Sequence, residues 1–333
     1  MGGRRGSRWV VIGALGVVGI LVSGSDAFAG TYRWVDRDGN VRYTDRPPQP
    51  DDVAPAPASP AAGASAAPSP AIHELMELSG LRQQLEWMSV NTRSQIQTQL
   101  GTLEAEERAR VDQVAAVAFG AERLQALVRD SLSAKVDDAK VAHAITWFRT
   151  AAGRKITAAE TAAGMPQAQE AIATFARARA ANPTDPKRLE RLRQLDEVAG
   201  TSEFSFDALM AVADGLRRGA EPFMPAERRR DTASVERDIA GARPKAVEEF
   251  RAATLVSLEF AYRDISDADL DAYLVFLGSP GGRWLTAEIH QALLHAVRTT
   301  TEEAITAIAK VIPPAEWGRA RRRPAPRANP ARL

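Results

Sequence analysis

The sequence predicts a mostly α-helical protein: a helical bundle built from two related helical halves, preceded by a short β-hairpin and a disordered proline- and alanine-rich linker. Three observations carry that expectation. From Ala71 onward, apolar residues recur near helical spacing in alanine-rich segments that show no strand-like alternation. The stretch Thr31 to Thr44 does alternate, with Asp38-Gly39 as a turn signal in its middle. Between the two, residues 46–70 read PPQPDDVAPAPASPAAGASAAPSP after Arg46, a composition that buries almost nothing.

The first element is a targeting segment. Arg4, Arg5 and Arg8 precede an apolar run from Trp9 to Val22, and Ala27-Phe28-Ala29 offers the small-x-small pattern cut before Gly30. Residues 1–29 are therefore read as a signal peptide and the protein as exported to the periplasm. The run falls short of the roughly 20 apolar residues that span a hydrocarbon core, so no transmembrane helix is expected after cleavage. Retention as an uncleaved anchor is the other reading. Arg4-Arg5 lacks the following apolar pair of a twin-arginine signal, which makes a Sec-type signal the expectation. The absence of cysteine excludes a lipoprotein site, disulfides and thiolate metal ligands.

Charge is distributed unevenly. Of 43 basic and 42 acidic side chains, residues 1–29 hold three and one, and residues 319–333 hold six arginines and no acid. The stretch between keeps 34 basic against 41 acidic residues, an acidic body with a basic tail.

Residues 30–48 form the hairpin module. Tyr32 and Trp34 alternate with Arg33 and Val35, and Val41 and Tyr43 with Arg42 and Thr44, which predicts two short strands. Alternation is expected to put Tyr32, Trp34 and Tyr43 with Val41 on one face. An isolated hairpin is marginal in water, so that face either covers the rest of the chain or meets a partner, such as an envelope protein or a glycan on which rings stack. Tyr32-x-Trp34-Val35-Asp36-x-Asp38-Gly39-x-Val41-x-Tyr43-Thr44-Asp45-x-Pro47-Pro48 resembles the bacterial domain of unknown function 4124. The resemblance implies an exported bacterial protein with a small β module and no assigned chemistry. Residues 49–70 follow as a polyproline-biased spacer.

The pattern is helical from Ala71 onward, and further helical segments are expected at about 104–133, 137–180, 186–218, 225–264, 267–277 and 283–311. Asn182-Pro183, Asp185-Pro186, Glu221-Pro222 and Ser279-Pro280-Gly281-Gly282 punctuate them. Residues 71–185 and 186–316 are read as the two halves and 317–333 as a basic disordered tail. Val141 to Ala158 aligns with Leu270 to Ala287 at an offset of 129, pairing Trp147-Phe148 with Phe276-Leu277 and Gly153-Arg154 with Gly282-Arg283. Leu75 to Gly80 also resembles Leu195 to Gly200, at an offset of 120. Two signals in one order argue for duplication; similarity among alanine-rich helices is the competing account. A continuous helix through Leu189 to Gly200 joining the halves is a further possibility.

Ile265-Ser266-Asp-Ala-Asp269-Leu270-x-Ala-Tyr-Leu274-x-Phe276-x-x-Ser279-Pro280-x-Gly282-Arg283 is similar to the bacterial domain of unknown function 2059, best over 265–290 and more weakly around 136–160. The likeness implies export and a helical fold. The repeated positions have structural roles on their own account: Ser266 and Asp137 or Asp138 as helix caps, and Gly153 and Gly282 as tight corners.

Candidate binding residues are few. Arg154 and Arg283 follow the corner glycines and either hold an anion at the next helix N-terminus or bond helix-end carbonyls. Arg321, Arg322 and Arg323, followed by Pro324 and Pro326, suit an anionic surface such as lipopolysaccharide, anionic phospholipid or an acidic protein; a solubilising tail is the alternative, and no nucleic acid is expected. His73, His143, His290 and His295 lack zinc spacing, so no metal or cofactor is expected. No Gly-x-Ser-x-Gly, Walker or Ser-x-x-Lys motif is present, and Glu302-Glu303 and Asp267 with Asp269 read as solvated acids. The expectation is therefore a non-catalytic binding or scaffolding protein with a tethered aromatic hairpin. A holdase-like periplasmic chaperone is the alternative, and a peptidoglycan hydrolase a third.

Overall fold

The computed structural model describes residues 32–35, 41–44, 69–99 and 105–312, apart from 180, 182, 227–228 and 230. Among these the chain is mostly helical. The signal peptide, nearly all of the linker and the basic tail with Arg321, Arg322 and Arg323 lie outside the described residues.

Strands β1 (Tyr32–Val35) and β2 (Val41–Thr44) pair antiparallel, with Tyr32 opposite Thr44, Arg33 opposite Tyr43, Trp34 opposite Arg42 and Val35 opposite Val41. Directly opposed positions share a face of such a pair. The expected common face of Tyr32, Trp34, Tyr43 and Val41 is a matter of side-chain placement, which lies outside what is described for these residues. Period-two alternation orders faces within one strand, whereas the relation between strands depends on the register that the loop imposes.

Helix α1 (Pro70–Leu78) starts with proline in its first turn and buries Ile72, Leu75 and Met76. Gly80, at φ 71°, turns the chain into α2 (Leu81–Gln99). The expected 104–133 segment divides into α3 (Ala105–Ala118) and α4 (Ala121–Ser133), with Gly120 as the N-cap of the second. The 137–180 segment divides into α5 (Asp138–Phe148), α6 (Ala151–Gly164) and α7 (Ala168–Ala178), the second break falling at Met165-Pro166. Asp185 caps α8 (Pro186–Ala199) by accepting from the amides of Lys187 and Arg188 at 2.9 and 3.1 Å. Gly200, at φ 62°, ends it and opens α9 (Thr201–Ala220), so Leu189 to Ala199 is one continuous helix and a left-handed corner follows it at Gly200. A 3₁₀ turn (Glu221–Phe223), α10 (Thr232–Ala261), α11 (Asp267–Gly278) and α12 (Pro280–Val311) complete the chain.

Two corners, α5–α6 and α11–α12, are built by the same bonds at positions 129 apart. Asp137 accepts from the Lys140 amide, and Ser266 from the Asp269 amide. Thr150 Oγ1 donates to the Trp147 carbonyl and accepts from the Gly153 amide at 2.9 Å; Ser279 Oγ donates to the Phe276 carbonyl and accepts from the Gly282 amide at 3.0 Å. A β-carbon on Gly153 would stand 2.2 Å from the Trp147 carbonyl oxygen, and one on Gly282 2.0 Å from that of Phe276. Glycine is needed here for closeness, in a helical backbone, and not for a left-handed φ.

Helices α9 and α12 run side by side in the same direction. Gly215 packs on the Arg298 carbonyl and Thr301, and Gly219 on the Glu302 carbonyl and Ile305, so both residue series rise together. The buried Thr300 and Thr301 satisfy their hydroxyls on their own helix, at Ala296 O and Val297 O. Helix α12 also packs on α3, α4 and α5, while α6 packs on α10 and α11. One hydrophobic cluster accordingly draws on Ile72, Leu85, Leu124 and Ile156 from the earlier helices and on Leu192, Leu270, Leu285 and Ala296 from the later ones.

Candidate functional site

At the junction of these helices lies a cavity of about 280 Å³. Its wall takes Leu81, Trp87 and Met88 from α2, Phe148 from α5, Glu160 and Gly164 from α6, Leu195 from α8, Phe204 from α9, Tyr273 and Phe276 from α11, and Leu285, His290 and Leu293 from α12. Most of these side chains are apolar, with a few polar groups among them, the usual make-up of a small-molecule site.

The polar end is a carboxyl held by two phenols. Glu160 Oε1 accepts hydrogen bonds from the Tyr262 hydroxyl at 2.6 Å and the Tyr273 hydroxyl at 3.0 Å. Burial is the main cause that pushes the Glu160 pKa up, and the two donated hydrogen bonds only partly offset it. Burial and the neighbouring carboxylate raise both tyrosine hydroxyls well above their usual value, so they remain donors at neutral pH. The Tyr273 ring is fixed by a stack: Trp147 lies 5.8 Å from it and 4.9 Å from Phe276, each within 6° of parallel. Trp147 and Phe276 are themselves matching positions of the two corners.

His290, elsewhere on the wall, stacks on Phe204 with ring centroids 4.2 Å apart and an interplanar angle of 21°. Burial alone lowers its pKa to about 4, so the imidazole is neutral at physiological pH. The wall therefore carries one titratable acid and no permanent cation among the described residues.

The residues singled out from sequence sit elsewhere. Tyr32, Trp34 and Tyr43 lie in the paired strands. Arg154 donates to the Arg149 carbonyl and Arg283 to the Gly278 carbonyl, again 129 positions apart, so each guanidinium closes the end of the preceding helix. His143 meets Phe276 edge-on at 6.0 Å, His73 lies 3.9 Å from Glu77, and His295 is exposed. Among the described residues no group of three or more His, Asp or Glu is placed to hold a metal ion.

Glu160, Tyr262, Tyr273 and Phe204 were not marked by any motif. One signal for Glu160 was available: it follows the buried Gly153 and Ile156 at helical spacing, so an acid falls on the apolar stripe of α6. The tyrosines reach it from sequence positions more than 100 residues away, a relation that no local pattern encodes.

Fold and site together define a helical protein with a partly open, ligand-sized cavity among its helices, and no described helix is long and apolar enough to cross a membrane. A family model described as a domain of unknown function (DUF4124) matches residues 19–72. No curated protein and no solved structure matches the chain.

Proposed function

We propose that this is an exported bacterial envelope protein that works by binding, without catalysis, and that the cavity between its two helical halves is a ligand site. The observation that carries the reading is the cavity of about 280 Å³, apolar on most of its wall and polar where Glu160 meets Tyr262 and Tyr273. That is an arrangement for holding and orienting a small molecule. It offers neither an activated nucleophile nor a paired acid and base, the constellations on which hydrolysis depends. Export rests on the leader-like residues 1–29, and the hairpin, tethered by residues 49–70, is taken as a second contact for an envelope protein or glycan.

The helical part is further read as a duplicated unit of the domain of unknown function 2059 type. Matching caps, corner glycines and arginine–carbonyl bonds at one offset support duplication. Duplication accounts for a cavity at the centre, because each copy would contribute the same wall positions: Phe148 with Leu277, and Glu160 with Ile289.

The solvatochromic fluorophore 1-naphthylamine, uncharged at pH 7.5 and small enough for the cavity, tests the ligand site. Saturable binding with blue-shifted emission is expected for the wild type, and an affinity loss of about tenfold for Ala163→Phe, which fills the cavity. Equal binding by a correctly folded Ala163→Phe would remove the cavity from consideration.

A further inference from the structure

We infer that the cavity takes an apolar molecule bearing a protonated amine, its ammonium against Glu160 and its hydrocarbon along the wall formed by α9 and α12. The inference rests on the reading of the cavity as a ligand site and adds the chemistry of the occupant.

Three observations lead to it. Half-buried Glu160 has no Lys, Arg or His in ion-pair contact among the described residues, whereas the fully buried acids do: Glu259 has Arg179 at 2.6 Å, and Asp196 has Arg251 at 3.6 Å in addition to the Ser202 amide and hydroxyl. A buried carboxylate is costly unless a cation and hydrogen bonds compensate it. Both tyrosines donate to the same oxygen, Oε1, and Oε2 accepts no bond among the described residues, so the acceptor capacity at the cavity wall is only partly used. An ammonium supplies the missing positive charge and up to three donors.

The surroundings select the same head group. An anionic head would face the carboxyl, with the two hydroxyl protons already committed to it. His290 on the α12 wall is neutral and presents no competing charge. Size bounds the body: 280 Å³ at about 30 Å³ per water-sized group holds about nine such groups, the size of n-octylamine.

The test is calorimetric titration of the purified full chain with n-octylamine, n-octanol and n-octanoate at pH 7.5, repeated with Glu160→Gln, whose amide oxygen still accepts from both tyrosines. Octylamine is expected to bind about tenfold more tightly than octanol and octanoate more weakly than either. Glu160→Gln should bring octylamine to the level of octanol and leave octanol within about twofold, with an unchanged circular dichroism spectrum. Octanol or octanoate binding as tightly as octylamine, or an amine preference that survives in Glu160→Gln, overturns the amine inference while the cavity remains a ligand site. Failure of all three ligands also overturns it; if 1-naphthylamine fails as well, the ligand-site reading falls too.

Discussion

Two half-buried titratable groups in one cavity wall give the protein opposing responses to pH. For His290 the folded pKa of about 4 lies below the unfolded value of 6.5, because burial disfavours the imidazolium. Its contribution is present above pH 6.5 and is lost as pH falls toward 4, since the unfolded chain takes up the proton first. The shift sets an upper limit of about 3 kcal/mol for that loss. His290→Gln cannot titrate, so its urea midpoint should fall less than that of the wild type between pH 7.5 and pH 4.5, by the equivalent of about 2 kcal/mol; parallel curves would show the ring to be solvated. Glu160 has the reverse sign. Its raised pKa gives stability that is full below pH 4.5 and declines as pH rises through the folded value. Glu160→Gln should therefore melt no lower than the wild type at pH 7.5 and lose any advantage below pH 4.5, and scanning calorimetry at the two pH values checks the crossover. Neither residue was marked by a motif, and the one sequence signal for Glu160 was its place on the apolar stripe of α6. A histidine and a glutamate in alanine-rich helices look like surface groups until partners distant in the chain surround them.

Glycines in helices separate what packing requires from what propensity prefers. On α9, a β-carbon at Gly219 would sit 2.7 Å from the Glu302 carbonyl oxygen and 2.8 Å from the Ile305 β-carbon of α12. Backbone cannot swing aside, so Gly219→Ala is expected to cost about 1–3 kcal/mol by overpacking, more than the roughly 1 kcal/mol that alanine gains in helix propensity. Gly241 in α10 meets nothing within 4 Å, and there Gly241→Ala should stabilise by up to about 1 kcal/mol. Opposite changes in melting temperature, of several degrees downward and a few upward, are the expected result; two changes of the same sign would mean that α9 and α12 do not approach as closely as 2.7 Å permits. The sequence made the existence of most helices legible because apolar spacing is a local property. Breaks within alanine-rich runs were less legible. Gly120 and Met165-Pro166 interrupt segments whose apolar periodicity continues on either side, and the parallel α9–α12 contact depends on small residues that periodicity does not weigh.

At the scale of the whole molecule, contacts that cross between residues 71–185 and 186–312 decide how the fold can come apart. Helix α12 packs on α3, α4 and α5, and α6 packs on α10 and α11, so each stretch carries a helix that covers part of the other. The apolar residues that α12 presents to the earlier helices, Leu293, Ala296 and Val297 among them, belong to the same cluster as Leu124, Val128 and Leu132 of α4. The internal similarity at offset 129 was visible in the sequence, yet it described two units and not how they meet, because amphipathic periodicity states which face is buried and leaves the covering element open. The hairpin stands differently. No described helix packs on β1 or β2 with more than marginal contact, and the intervening composition is that of a spacer. Deletion of residues 30–48 should therefore leave the helical circular dichroism and the melting temperature unchanged. Separation of the halves should do the opposite. Residues 69–185 alone lose the α12 cover over α3 to α5, and residues 186–312 alone lose the α6 cover over α10 and α11, each exposing core side chains at about 25 cal/mol per Å². Such losses exceed the few kcal/mol by which domains of this size are stable. Each fragment is therefore expected to show little cooperative melting and to bind a hydrophobic dye, while an equimolar mixture refolded from urea recovers the cooperative transition of the intact chain. Cooperative unfolding of either fragment by itself would mean that each half carries its own sufficient core and that the contacts of α12 with α4 and of α6 with α10 are dispensable.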